Sequence, residues 1–223
     1  MQQPTAARTA ALQELLSALR RVRPGAPALI GIDGYDGVGK SALVIELLDL
    51  GGRDGGRVLM GVSFDGFHRP RAERRRAGDG PEAFYRGSFD TAAFIESVVR
   101  PLRAGQPIIP AIWDVARDRP VARVPAPVPD HALVLVDGIF LHRPELVDLW
   151  DASVWVDAPF SVTVPRGIAR FPWRTDPSPD AESNRRYVEG QRVYEAEAAP
   201  REHATWILDN EDLEHPVLRP GVC

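Results

Sequence analysis

The chain has almost no lysine. Of its 27 lysines and arginines, only Lys40 is lysine. The excess of Arg, Ala, Pro and Gly suits a GC-rich coding background, which accounts for the scarcity but not for the exception. Cysteine is just as rare. Cys223, the last residue, is the single one, which excludes an intrachain disulfide and a cysteine-based metal site. No apolar run approaches the roughly 20 residues of a membrane-spanning helix. The opening stretch "MQQPTAARTAALQELLSALRRVRPG" holds none long enough for a signal peptide. It reads as an amphipathic helix over about 5–22, with Leu12, Leu15, Leu16 and Leu19 on one face. A surplus of positive charge is also missing. A net charge of -4 and a pI near 5.8 argue against a general nucleic-acid or membrane-surface binder. The expectations are a cytoplasmic location with no nucleic-acid partner and no membrane; a homo-oligomer is left open.

What is present suits one domain. At 223 residues and 44% hydrophobic content, the chain can bury a proper core. Short apolar runs at 27–33, 57–65, 107–114, 131–140, 153–158 and 205–210 alternate with helical patterns at 39–50, 89–105, 144–151 and 184–202. "HALVLVDGIF" is a continuous apolar strand, as expected for one covered on both faces. Strands alternating with helices predict an α/β fold with a doubly wound, mainly parallel sheet. Segments 66–87 and 171–183, rich in Pro, Gly and Arg, read as mobile loops.

The exceptional lysine lies in "GYDGVGKS", where Gly34, Gly39, Lys40 and Ser41 satisfy G-x-x-x-x-G-K-[ST]. Such a loop points backbone N–H groups at phosphate oxygens, and its glycines allow the tight turn and close approach. Gly34, Asp36, Gly37, Val38, Gly39, Lys40, Ser41 and Ala42 are the expected cradle. The helix that follows adds its positive end, and Ser41 is suited to Mg²⁺. A compact ammonium on a slim stem is not replaceable here by arginine's planar fork. Nucleoside-triphosphate binding follows. Guanine-selecting switch proteins are disfavoured, because N-K-x-D needs a second lysine; the ABC signature "LSGGQ" is absent too.

The second strand ends in "VSFDGFHRP". Asp65 there either caps the turn before Gly66 or, in a kinase, accepts the proton of an attacking hydroxyl at the carboxyl edge of the sheet. At this point the chain resembles the uridine kinase and phosphoribulokinase group of P-loop kinases. The resemblance rests on "IGIDGYDGVGKS", "SFDGF", "SFDTAAF" with "PLRAGQPIIPAIWD", "LVLVDGIF", and "RYVEGQRVYEAEAAPREHATWILDN", in that order, over most of 28–210. It implies a P-loop kinase domain with a small lid over about 166–186 and an acceptor-side flap over about 66–87. It implies that Asp65 is the general base and that Phe67, Tyr85 and Trp113 wall the acceptor pocket. Asp114 would bond acceptor hydroxyls, and Asp137 would take the metal-side carboxylate role, with Asp33 a weaker candidate for the same shell.

Arg166, Arg170 and Arg174 recur at intervals of four, which puts them on one face of a helix. The resemblance places lid arginines in this region, where they would neutralise charge on the transferring phosphoryl group. The densest basic run, "HRPRAERRRAGDG" (68–80), reads as a solvated loop or as a flap over the acceptor. His68, Arg117 and Arg119 are candidate acceptor contacts. Where uridine kinases usually carry "YDF…H.R", this chain reads "WDVARDRP". The expectation is an ATP- and Mg²⁺-dependent kinase acting on a small-molecule hydroxyl, first the 5′-hydroxyl of a nucleoside such as uridine or cytidine. Pantothenate, a sugar or a sugar phosphate is the alternative acceptor. A P-loop regulatory NTPase or an RNA-binding ATPase built on the 68–80 run is the alternative of another class.

Overall fold

The first apolar run, Ala28–Gly34, becomes strand β1, and all seven of its residues are buried. The structure, a computed structural model, describes residues 4–168 and 175–221. Strands β2 (Leu59–Ser63), β5 (Leu133–Asp137), β6 (Ala152–Asp157), β7 (Trp206–Asp209) and β8 (Val217–Pro220) join β1 in one sheet, ordered β2-β5-β1-β6-β7-β8. All neighbours pair parallel except β7 and β8. The chain leaves β1 toward β2 and returns through β5 to β6 on the other side of β1. That reversal opens a crevice at the carboxyl edge, the usual place for a ligand in such sheets.

The period of two in a strand sorts the apolar runs onto two faces. Leu29, Val134, Val136 and Trp155 face one core, shared with Phe64, Phe67, Phe94 and Phe140. Ile30, Ile32, Leu133, Leu135, Val154 and Val156 face the other. There they meet helix α1 (Ala6–Leu19) through Leu12, Leu15, Leu16 and Leu19, and helix α2 (Lys40–Arg53) through Leu43, Val44 and Leu47. The fully buried aromatic rings thus gather on the first face. Helices α3 (Arg71–Arg76), α4 (Pro81–Gly87) and α8 (Glu182–Ala198) complete that side. Helix α5 (Thr91–Phe94) runs through a π-helical stretch, Ile95–Val99, into α6 (Arg100–Arg103). Asp90 caps α5 by accepting from the Ala93 amide. Helix α7 (Phe160–Ile168) follows β6, and α9 (Pro200–His203) precedes β7. Among the described residues no helix is long and apolar enough to cross a membrane.

Three expectations change. The stretch at 66–87, expected as a mobile loop, carries helices α3 and α4, the second opened by Pro81 in its first turn. The run at 107–114 does not enter the sheet. Only Trp113–Asp114 forms a strand, β3, paired antiparallel with β4 (Arg119–Pro120) in a separate hairpin. Pro107 and Pro110 lack the N–H groups that a sheet ladder needs, and an isolated antiparallel bridge between Ile108 and Ala126, with bonds from Ile109 N to Ser97 O and from Ile112 N to Gly66 O, holds the segment instead. The segment at 144–151, expected as a short helix, is a 3₁₀ turn over Val147–Leu149.

Beneath the end of β1 lies a buried polar hub. Asp33 is fully buried, and its Oδ2 accepts from Leu141 N (3.0 Å), His142 N (3.1 Å), the Tyr194 hydroxyl and the His142 Nδ1 edge (2.8 Å). Its Oδ1 accepts from Gly34 N at 2.7 Å, and His142 Nε2 reaches Ser153 Oγ at 2.8 Å. Every bond runs inside the protein, so Asp33 is a structural carboxylate and not part of a metal shell. Asp33→Ala would leave several buried donors unsatisfied. It should cost about 3–5 kcal/mol, lowering Tm by roughly 10 °C at this chain size. Calorimetric melting checks this; a loss under about 1 kcal/mol would contradict the structural role.

Candidate active site

The loop between β1 and α2 takes its shape from its glycines and its internal hydrogen bonds. Gly34 has φ +147°, and a Cβ there would lie 2.4 Å from the Val156 carbonyl oxygen. Gly37 has φ +83°, and a Cβ would lie 2.2 Å from the Thr163 carbonyl of α7. These are two positions where both backbone conformation and space demand glycine. Lys40 is buried, and its Nζ donates to the carbonyls of Gly34 (2.9 Å) and Tyr35 (2.8 Å). The ammonium therefore bridges the loop it would later share with phosphate. The first-turn amides of α2, from Lys40, Ser41 and Ala42, have no acceptor within the helix and face the same loop end. Val38 N bonds back to Tyr35 O at 3.2 Å.

Two residues missed in the sequence moor this loop. Gln191 of α8, buried, accepts from Asp36 N at 2.6 Å. Asn210, fully buried just past β7, donates to Val38 O at 2.7 Å and accepts from Arg8 of α1 at 3.0 Å. Arg8 also pairs with Glu46 of α2. No local motif marks either residue. The one available signal was a polar side chain placed in a buried stretch.

Ser41 Oγ donates to Asp137 Oδ2 at 2.6 Å, so the two expected metal ligands converge. A hydroxyl and a carboxylate at the phosphate-facing end of the loop form a hard oxygen donor pair, which fits Mg²⁺ held with substrate phosphates. Cα register places Asp137 level with Ile32 of β1 and Ser63 of β2. Asp65 lies two residues beyond Ser63, in a 3₁₀ turn over Phe64–Phe67. The ends of β2, β5 and β1 thus set Asp65, Asp137 and the phosphate loop side by side.

Burial pushes the Lys40 ammonium below the ordinary lysine value, while the carboxylates of Asp36, Asp33, Asp137 and Asp65 oppose that shift. Asp65 is about half exposed, with its Oδ1 3.5 Å from His68 Nε2. His68 Nδ1 meets Ser88 O at 3.0 Å, and its ring stacks on Phe89 at 4.2 Å. His68 therefore sits beside Asp65, as expected for an acceptor-side residue.

The acceptor side departs from expectation elsewhere. Phe67 and Tyr85 are core residues, not open pocket walls. Phe67 is fully buried against Phe94, with ring centroids 5.3 Å apart. Tyr85 packs on Phe140 and Tyr194, and its hydroxyl donates to Glu197 at 3.1 Å. Burial first, then the Glu197 charge, pushes its phenol up to about 12. Both rings lie on the inward faces of short elements that dock onto the sheet. Asp114 is engaged by its own hairpin turn, accepting from Ala116 N, Arg117 N and the Arg117 guanidinium. The Arg117 bond holds it below the usual carboxylate range. Arg119 is exposed on β4. Trp113 is half-buried, and its Nε1 is a buried donor without a hydrogen-bond partner.

Arg166 sits on the opposite side of the crevice. Its guanidinium donates to the carbonyls of Asn210 (2.9 Å) and Glu211 (2.6 Å) past β7. Strands β5, β1 and β6 separate β7 from β2, a gap of about 19 Å at ordinary strand spacing. Arg166 therefore belongs to the β7 side of the phosphate loop, not to the acceptor side. Arg170 and Arg174 lie outside the described residues. Among the described residues no group of three or more His, Cys, Asp or Glu forms a metal site.

No family model matches the chain, and no curated protein matches it. Solved structures do. A possible uridine kinase from Bacillus stearothermophilus superposes with a TM-score of 0.71 at 19% identity, covering 89% of this chain and 97% of its own. A protein assigned as a fructose transport system kinase, from a Silicibacter species, gives 0.66 at 23% identity, covering 86% and 95%. The D-glycerate 3-kinase of Cryptococcus neoformans gives 0.57 at 14% identity, covering 86% and 88%. The chain shares the fold of these kinases, a mainly parallel sheet with helices on both faces.

A triphosphate that replaces the Gly34 and Tyr35 carbonyls as partner favours the charged form of Lys40. ATP binding should therefore take up protons at alkaline pH, and affinity should weaken as pH rises through the lowered lysine value. Calorimetry in buffers of different ionisation enthalpy reads this directly. Lys40→Met should abolish the uptake and weaken ATP roughly 10–100-fold, the weight of one charge-assisted hydrogen bond. Proton release, or none, would contradict this account of the loop.

Proposed function

We propose that the chain is an ATP- and Mg²⁺-dependent kinase that transfers the γ-phosphate to a hydroxyl of a small molecule. One observation carries the reading: a carboxylate, Asp65, stands two residues past the strand position level with Asp137, while Asp137 holds Ser41 of the phosphate loop. A binding protein or a slow switch has no use for a base on the acceptor side. Ser41 and Asp137 would hold the Mg²⁺ that accompanies ATP, whose charge would offset that of the phosphates.

The chain's own groups then divide the work. Lys40 and the α2 amides hold the phosphates. Asp65 accepts the proton of the attacking hydroxyl, so that the oxygen gains nucleophilicity as the bond to phosphorus forms. Asn210 and Gln191 keep the loop from shifting under the charge. Arg166 braces the segment past β7, where the donor's non-phosphate end would lie.

Two acceptor classes were expected. The neighbours include a possible uridine kinase and a D-glycerate 3-kinase, so the fold by itself does not choose between the two. The nucleoside reading needs aromatic walls and a carboxylate for ribose hydroxyls. Burial of Phe67 and Tyr85 and the engagement of Asp114 remove most of these. The second class, a sugar, a sugar phosphate or an acid such as pantothenate, is the better fit. A screen of ADP release over nucleosides, pantothenate and sugars tests the reading. The acceptor that raises turnover should lose it about 10²–10⁴-fold in Asp65→Asn. Full activity in that variant would mean that the base lies elsewhere, and no acceptor-stimulated turnover at all would sink the kinase reading.

A further inference from the structure

The basic run at 68–80 has no role in the chemistry above. Helix α3 buries none of its residues, so its arginines are not there to fill a core. One of them is nonetheless drawn in. Arg74 turns back to donate from Nε to Arg69 O at 3.0 Å and is partly buried. Burial pushes its guanidinium below the ordinary arginine value, and the nearby charges of Arg71 and Arg186 push the same way. Asp118 opposes them. Gathering like charges in a half-buried place costs free energy unless an anion joins them.

The surroundings keep the cations together. Arg71 N donates to Asp118 Oδ1 at 2.9 Å, which fastens α3 to the β3–β4 hairpin. Arg186, on α8, lies over the Phe84 ring and reaches Asp79 at 3.4 Å, a carboxylate that is itself 88% exposed. The Nε of Arg186 is buried and makes no hydrogen bond. Arg69 nearby is balanced by Glu73 at 3.8 Å. Asp118 and Asp79 are thus the carboxylates that face three guanidinium groups, and Asp118 already serves the Arg71 amide.

The place is adjacent to the reacting centre. Five residues along α8 from Arg186, Gln191 grips the phosphate loop at Asp36, a step of about 7.5 Å along a helix. At the hairpin, Ile112 N bonds to Gly66 O, next to Asp65. Elements that border Asp65 and the loop therefore also carry the cluster. The cluster comprises three side chains on α3 and α8, with α3 fastened to the β3–β4 hairpin, which suits a small anion; a nucleic acid would need a broad basic face with stacking platforms.

We propose that the acceptor carries an anionic group, a phosphate monoester or a carboxylate, held by Arg71, Arg74 and Arg186 while its hydroxyl faces Asp65. This rests on the kinase reading and narrows it to one charge class of acceptor. The test compares matched acceptors with the full chain, ATP and Mg²⁺: glycerol against glycerate, pantothenol against pantothenate, and ribose against ribose 5-phosphate, with uridine as a neutral nucleoside. The best acceptor should be anionic, with kcat/KM at least about tenfold above its neutral partner. The carboxylate and phosphate pairs distinguish the two sources of charge. Arg74→Gln and Arg186→Gln should each raise KM for the anionic acceptor about tenfold and shrink the preference over its neutral partner. Arg74→Lys should restore part of it, which a purely structural role would not predict. Arg53→Gln, on the far helix α2 where Arg53 pairs with Asp49, should leave the preference intact. A neutral acceptor as the best substrate would overturn the proposal and leave the kinase standing. So would an anionic one whose KM does not move in the two glutamine variants. If no acceptor raises ADP release, the kinase reading falls and takes the proposal with it.

Discussion

The carboxylate of Asp33 joins four segments that meet beneath the phosphate loop. It receives the amide at the end of β1, two amides and an imidazole edge from the segment past β5, and a phenol from α8; His142 extends the contact to Ser153 on β6. Such a group is costly to bury and costly to strip of its partners. Its environment therefore specifies one arrangement of those segments. The phosphate loop starts one residue later, and its position follows from this hub.

From there the site is a matter of charge placed before any ligand arrives. Lys40 is buried against two carbonyls, with carboxylates nearby that moderate its desolvation. Ser41 and Asp137 already touch. These groups are held by packing and hydrogen bonds, so a bound phosphate would demand little reorganisation, which is the condition under which fixed dipoles and charges act most strongly. The two sides of the crevice then differ. Toward β7, Arg166 and Asn210 brace backbone. Toward β2 lie Asp65 and His68.

Much of this was legible in the sequence. The loop "GYDGVGKS" is contiguous, so its glycines, lysine and serine act together wherever the chain goes. Asp65 is tied to the end of β2 by two residues of chain, and the continuous apolar run in "LVLVD" required a cover on both faces. The aromatic residues misled. The resemblance implies that Phe67 and Tyr85 are pocket walls, but a short turn and a short helix dock by turning those rings inward. Asp114 misled for a related reason: a carboxylate at the start of a tight turn finds its own backbone first.

The chain by itself determined the glycine-rich loop, the strands that flank it and the placing of Asp65 at a strand end, because each depends on neighbours within a few residues. Tertiary structure alone decided the sheet order, the Asp33 hub, the grip of Gln191 and Asn210 on the loop, and the placing of Arg186 over Phe84. Those contacts join residues far apart in sequence, 161 for Asp33 with Tyr194 and 172 for Asn210 with Val38. Local spacing carries no information about such pairs; they form only when the two faces of the sheet are covered and the buried polar groups must find partners.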